Sequence, residues 1–99
     1  MRKMNRKPTS PGEILHEEFL KPMGLTQKQL ADHIGIDIKV VNRIVKERTG
    51  VSPVVAVKLA YALNTSAEFW LNAQMAIDIY RAVEKLDTPP SPLSRSRSA

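Results

Sequence analysis

Apolar residues return every three or four positions along most of this chain. No stretch alternates apolar and polar residues as a half-buried strand would. The pattern predicts helices without a sheet, and short polar residues mark where each helix starts. Ser10-Pro11-Gly12-Glu13 offers a cap serine, a proline at the first helical position and a glutamate at the third. Thr26-Gln27-Lys28-Gln29 reads as a capping box, and Asp37 can cap a third helix. Ser52-Pro53 opens a fourth helix, and Thr65 or Ser66 caps a fifth. Gly24, Gly35 and Gly50 fall between these starts, where helix ends favour a residue tolerant of positive φ. The expectation is one all-α domain of five helices over residues 10–86. It is flanked by a flexible basic segment, 1–9, and by a disordered Pro/Ser/Arg-rich tail, 87–99, too poor in apolar residues to fold.

The stretch TQKQLADHIGIDIKVVNRI, Thr26 to Ile44, holds two periodic segments that meet at Gly35. In the first, Leu30, Ala31 and Ile34 point inward, and small Ala31 allows a close helix crossing. In the second, Val41, Ile44 and Val45 share one face, while Lys39, Arg43 and Lys46 project opposite, with Asn42 at the edge. Ile36 fills the corner. A short helix, a glycine turn and a second short helix make a helix-turn-helix. A DNA major groove, about 12 Å wide, admits one such helix. The helix must then be held by apolar contacts behind and must offer long polar side chains in front. Arg43 suits guanine, Asn42 suits adenine, and Lys39 and Lys46 suit bases or phosphates. Thr26, Gln27 and Lys28, at the start of the preceding helix, can grip a phosphate.

Charge agrees with this reading. The 99 residues carry a net charge of +5, which favours an anionic partner, nucleic acid before a membrane surface. No apolar run is long enough to span a membrane, no hydrophobic stretch follows the basic MRKMNRK, and no cysteine offers a disulfide or thiolate metal site. His16 and His33 lie on different helices without a metal-ligand partner at helical spacing. Glu13 and Glu17 sit one turn apart, yet a capping glutamate and a solvated face explain them. No cofactor or metal is expected, and no nucleophile–base arrangement suggests an enzyme.

The last helix is apolar over a wide arc. Phe69, Ala73, Ala76, Tyr80 and Val83 form one stripe, which assigns Phe69 and Trp70 to the core. Leu71, Met75, Ile79, Ala82 and Leu86 form a second, leaving Gln74, Asp78, Arg81 and Lys85 as a polar strip. One small core does not need both stripes, so the second is a candidate dimer joint.

QLADHIGI with VVNRIVK resembles the helix-turn-helix of the Xre, or phage-repressor-like, superfamily. PGEILHEEFLKPMGLTQ, VSPVVAVKLAYALNTSAEFWLNAQ and MAIDIY sharpen this to a resemblance with HigA-type, or VapI-like, antitoxins, whose GTSPEFWLNLQ motif reads NTSAEFWLNAQ here. The resemblance covers roughly Pro11 to Tyr80 and implies a lambda-repressor-like fold. It implies a cytoplasmic homodimer that binds double-stranded operator DNA and often partners a small HigB-type ribonuclease toxin. It places Gln27, Lys28, Ile38, Lys39, Asn42, Arg43 and Lys46 on DNA. Ile38 departs from the usual polar choice; it can meet a thymine methyl or be partly buried without reading DNA. Ala67 replaces a common proline, a change helix starts tolerate. A ribonuclease is cationic where it holds RNA, so acidic Glu17 and Glu18 on the first helix are the candidate toxin contacts. The rivals are a solitary Xre-type regulator and a helical protein-interaction module whose basic face is incidental.

Overall fold

The computed structural model describes residues 6–93, in which all regular structure is helical. Residues 1–5 and 94–99, the outer parts of the basic segment and of the Pro/Ser/Arg tail, lie outside the described residues. Helix α1 runs continuously over residues 11–23, as α-helix at Pro11–Ile14, π-helix at Leu15–Leu20 and α-helix again at Lys21–Met23. It is followed by α2 (Gln27–Ile34), α3 (Ile38–Val45), α4 (Pro53–Leu63) and α5 (Ala67–Lys85).

Each start uses a side chain the sequence offered. Ser10 accepts from the Glu13 N–H at 3.1 Å, Asp37 from Lys39 at 2.8 Å and Ser52 from Val55 at 3.2 Å. Thr26 and Gln29 form both halves of the capping box, at 3.0 and 2.8 Å. Each such cap stabilises its helix by about 1 kcal/mol. The fifth cap is Ser66, which accepts from Phe69 at 3.0 Å. Thr65 accepts instead from Trp70 Nε1 at 2.7 Å, satisfying a buried indole donor.

The wide turns of α1 follow from Pro22. Its ring has no N–H and would press on the Glu18 carbonyl in a regular α-helix. The Lys21 N–H reaches back five residues to His16 O, and the π-turns loosen the helix where the proline enters.

Four of the five helices end alike. The N–H groups of Leu25, Ile36, Arg48 and Thr65 bond the carbonyls of Leu20, Ala31, Arg43 and Ala60, each five residues back. This closure needs a left-handed residue just before the donor. Gly35, at φ 72°, supplies it between α2 and α3 without the strain a Cβ would bring. Gly50 does not play that part after α3. Glu47 takes the left-handed turn itself, at φ 60°, three residues earlier. Gly50 lies instead against the Gln74 side chain, whose Cδ would stand 2.8 Å from an added Cβ.

The core is built around Leu15, Leu30, Val41, Leu59 and Trp70, with fully buried Ala31 at the crossing of α2 and its neighbours. Gly12 lets α1 rest directly on the end of α3, where a Cβ would overlap the Ile44 carbonyl oxygen.

The phase of α5 differs from the expected one. Trp70 and Ile77 are fully buried, whereas Phe69 is 39% exposed and packs edge-on against Trp70 at 5.1 Å. Gln74 and Arg81 share the inward face, because each finds a partner there. Gln74 Oε1 accepts from the Val51 N–H at 2.9 Å, and Arg81 donates to Glu47 at 2.8 Å. Of the second stripe, Met75, Ile79, Ala82 and Leu86 face outward, while Leu71 packs at the margin of the core. The outer face of α4 is apolar too: Val54, Val57 and Tyr61 are exposed.

Candidate nucleic-acid interface

Helices α2 and α3 pack about Gly35 and Ile36, and α3 is anchored by Val41 and Ile44, at 1% and 2% exposure. Its other face presents Ile38, Lys39, Arg43 and Lys46 to solvent, with Asn42 half-buried beside them. Asn42 Nδ2 donates to Gln27 Oε1 at 3.1 Å, so the first residue of α2 and the middle of α3 form one surface. An open groove in front of that surface is lined by Gln27, Ile38, Lys39, Asn42, Arg43 and Arg48.

This arrangement brings together Gln27, Ile38, Lys39, Asn42 and Arg43 of the residues expected at DNA. Thr26 is partly committed to its cap: its N–H donates to Gln29 Oε1 and its hydroxyl oxygen accepts from the Gln29 N–H, which leaves the hydroxyl proton to donate to a phosphate. The N–H groups of Gln27 and Lys28 remain at the open end of α2, where partial positive charge favours an anion. Lys28 Nζ is held 3.1 Å from Asp32, one turn along α2, an exposed pair that water screens. Ile38 is 42% exposed and lines the groove, so it is available for apolar contact. Lys46 is exposed but is not among the groove's lining.

Arg48 was missed. It stands beyond the apolar-periodic stretch, so helical phase gave it no direction. The left-handed turn at Glu47 folds it back beside Arg43, through the bond from the Arg48 N–H to Arg43 O at 2.8 Å. Glu47 accepts from Lys7 at 3.0 Å and from Arg81 at 2.8 Å. Hydrogen bonding by Lys7, then by Ser10, holds its carboxyl below the ordinary glutamate range.

On α1, Glu17 lies between His16 Nδ1, at 2.9 Å, and Lys21 Nζ, at 3.1 Å. Hydrogen bonding from His16, then from Lys21, lowers its carboxyl pKa. Glu13, Glu17 and Glu18 are all exposed. Among the described residues no group of His, Cys, Asp and Glu is arranged to hold a metal, and no helix is long and apolar enough to cross a membrane.

A helix-turn-helix family profile matches residues 17–70. Antitoxin HigA-1 of Vibrio cholerae is 46% identical over 80 residues, covering 81% of this chain and 75% of that protein. The chain belongs to the HigA-type antitoxins of the helix-turn-helix family. Among solved structures, antitoxin GraA superposes with a TM-score of 0.79 at 44% identity, over 82% of this chain and 87% of its own. Pseudomonas aeruginosa antitoxin HigA, solved with higBA promoter DNA, superposes with a TM-score of 0.76 at 36% identity, over 78% and 84%. The HigA-type resemblance and the all-α helix-turn-helix fold expected from the sequence are thus both met.

Proposed function

We propose that this HigA-type chain is the DNA-binding antitoxin of a type II toxin–antitoxin pair. It binds a palindromic operator as a homodimer, represses its own operon in the cytoplasm and neutralises a small HigB-like ribonuclease. It is a binding protein without catalysis. The reading is carried by the groove before α3, which gathers two guanidinium groups, a lysine and two amides in front of a helix narrow enough for a major groove. A chain of the same fold solved with promoter DNA supports it. In this reading Asn42 keeps its carbonyl oxygen and one N–H for adenine while its other N–H donates to Gln27. Arg43 pairs with guanine, and Gln27 and Lys28 hold a phosphate.

The test is copurification from cells that express the native gene pair, followed by gel shift on the DNA upstream of the operon. A small basic partner together with a salt-dependent shift supports the whole reading. A shift without a partner leaves a solitary regulator. No shift at moderate salt leaves a protein-interaction module.

A further inference from the structure

Among the four helix ends closed by a left-handed residue, two use glycine and one uses asparagine, the residue types that tolerate this conformation. The end of α3 uses Glu47, a poor choice for the backbone alone. Its side chain shows what it gains. The carboxylate takes Lys7 from the segment before α1 and Arg81 from the inward face of α5, residues 40 and 34 positions away in sequence. It is 26% exposed, so these contacts are partly shielded from water. The same turn closes with the Arg48 N–H on Arg43 O, and Arg48 then lines the groove with Lys39, Asn42 and Arg43.

We infer that Glu47 is a positioning residue for DNA binding: clamped by Lys7 and Arg81, it sets the turn that holds the Arg48 guanidinium at the recognition groove. This rests on the operator-binding reading above. Glu47 itself touches no DNA in this account. Its charge is opposed by two cations, so an anion beside the groove is tolerated and serves as an anchor.

A positioning role and simple electrostatics predict opposite effects of losing Glu47. Removing a carboxylate next to a polyanion should strengthen binding if Glu47 were only a surface charge. A positioning role demands the opposite. The Glu47→Gly variant keeps the left-handed turn accessible while deleting the clamp, and glycine suits the position, so the helix end is retained. Glu47→Gly, Arg48→Ala and the double variant are compared with the unaltered chain by gel shift on the duplex from upstream of its own gene, and circular dichroism confirms folding. Glu47→Gln, which keeps the side-chain length, provides a second check.

Glu47→Gly and Arg48→Ala should each weaken binding about tenfold, and the double variant should lose no more than Arg48→Ala alone, as residues acting through one contact do. Glu47→Gln should lie between the unaltered chain and Glu47→Gly. Independent losses that multiply in the double variant, or binding by Glu47→Gly as tight as or tighter than that of the unaltered chain, would overturn the inference. Failure of the unaltered chain to shift the duplex would overturn the operator reading beneath it.

Discussion

Asn42 Nδ2 lies 3.1 Å from Gln27 Oε1, so the residue proposed to read a base is oriented by the residue that opens the neighbouring helix. The bond crosses the helix-turn-helix and spends one of the two amide protons of Asn42. The other proton and the carbonyl oxygen remain for a base edge. Losing Gln27 should therefore cost more than one phosphate contact. Gln27→Ala and Asn42→Ala are each expected to weaken operator binding by about 1–3 kcal/mol. The double variant should fall short of their sum, because the two side chains act as a unit. Titrations of the four proteins on one duplex measure the coupling, and strict additivity would mean that the bond does not matter to recognition.

Arg43 and Lys28 should behave differently. Arg43 is exposed in the groove, and its substitution by alanine should cost about 1–3 kcal/mol and relax sequence preference at one position. Lys28 is shared with Asp32 at 3.1 Å. Its loss should weaken binding to all sequences alike and reduce the salt slope by about 1 or less. Gel shifts on matched and scrambled duplexes at several salt concentrations separate the two. If both variants bind as the unaltered chain does, α3 is not the reader.

Gly12 offers a test of packing rather than of charge. A methyl group there would overlap the Ile44 carbonyl and stand 2.8 Å from its carbon, in backbone that cannot rotate aside. Gly12→Ala should destabilise the domain by about 1–3 kcal/mol or more, despite alanine's better helix propensity. Urea unfolding measures this. Unchanged stability would mean that α1 does not rest on the end of α3 as described.

The five helix starts were legible because a cap is a local device: a serine, threonine or aspartate bonds an N–H two or three residues on. The inward faces of α2 and α3 were legible for a similar reason, since Leu30, Ala31, Val41 and Ile44 repeat at helical spacing. What escaped depends on distant partners. Gln74 and Arg81 read as solvent-facing, yet the Val51 amide and Glu47 draw them inward. Arg48 could not be placed without the turn at Glu47, and that turn is anchored from residues 7 and 81. The π-turns of α1 had a visible cause in Pro22, but a proline alone does not choose between a kink and a widened turn.

Assembly can be tested on α5. Met75, Ile79 and Leu86 are 56%, 40% and 48% exposed on the face away from the core, so charging them disturbs little inside the domain. A palindromic operator with half-sites about 34 Å apart requires two recognition helices related by a two-fold axis. Met75→Glu with Ile79→Lys is expected to give a helical monomer that loses tight operator binding. Light scattering reads the mass, and circular dichroism reads the fold. A dimer that persists would move the joint elsewhere, and the exposed Val54, Val57 and Tyr61 face of α4 would be the next to substitute.

The toxin contact proposed for α1 rests on charge. Glu13, Glu17 and Glu18 are exposed on α1, whereas the cations of the groove lie on α3 and in the turn that follows it. A ribonuclease must be cationic where it holds RNA, so under the proposed function an acidic helix would complement it and leave α3 free for DNA. The two glutamates proposed for this contact are not equivalent. Glu17 is already engaged by His16 and Lys21, within 3.1 Å of each, so a partner must compete with both. Glu18 has no such partner among the described residues. Glu18→Lys is therefore expected to weaken toxin capture more than Glu17→Lys does, and the double reversal most of all. Operator binding should persist in all three variants. Calorimetry with the purified partner, run beside gel shifts, decides the matter. Undiminished affinity after both reversals would remove α1 from the toxin interface.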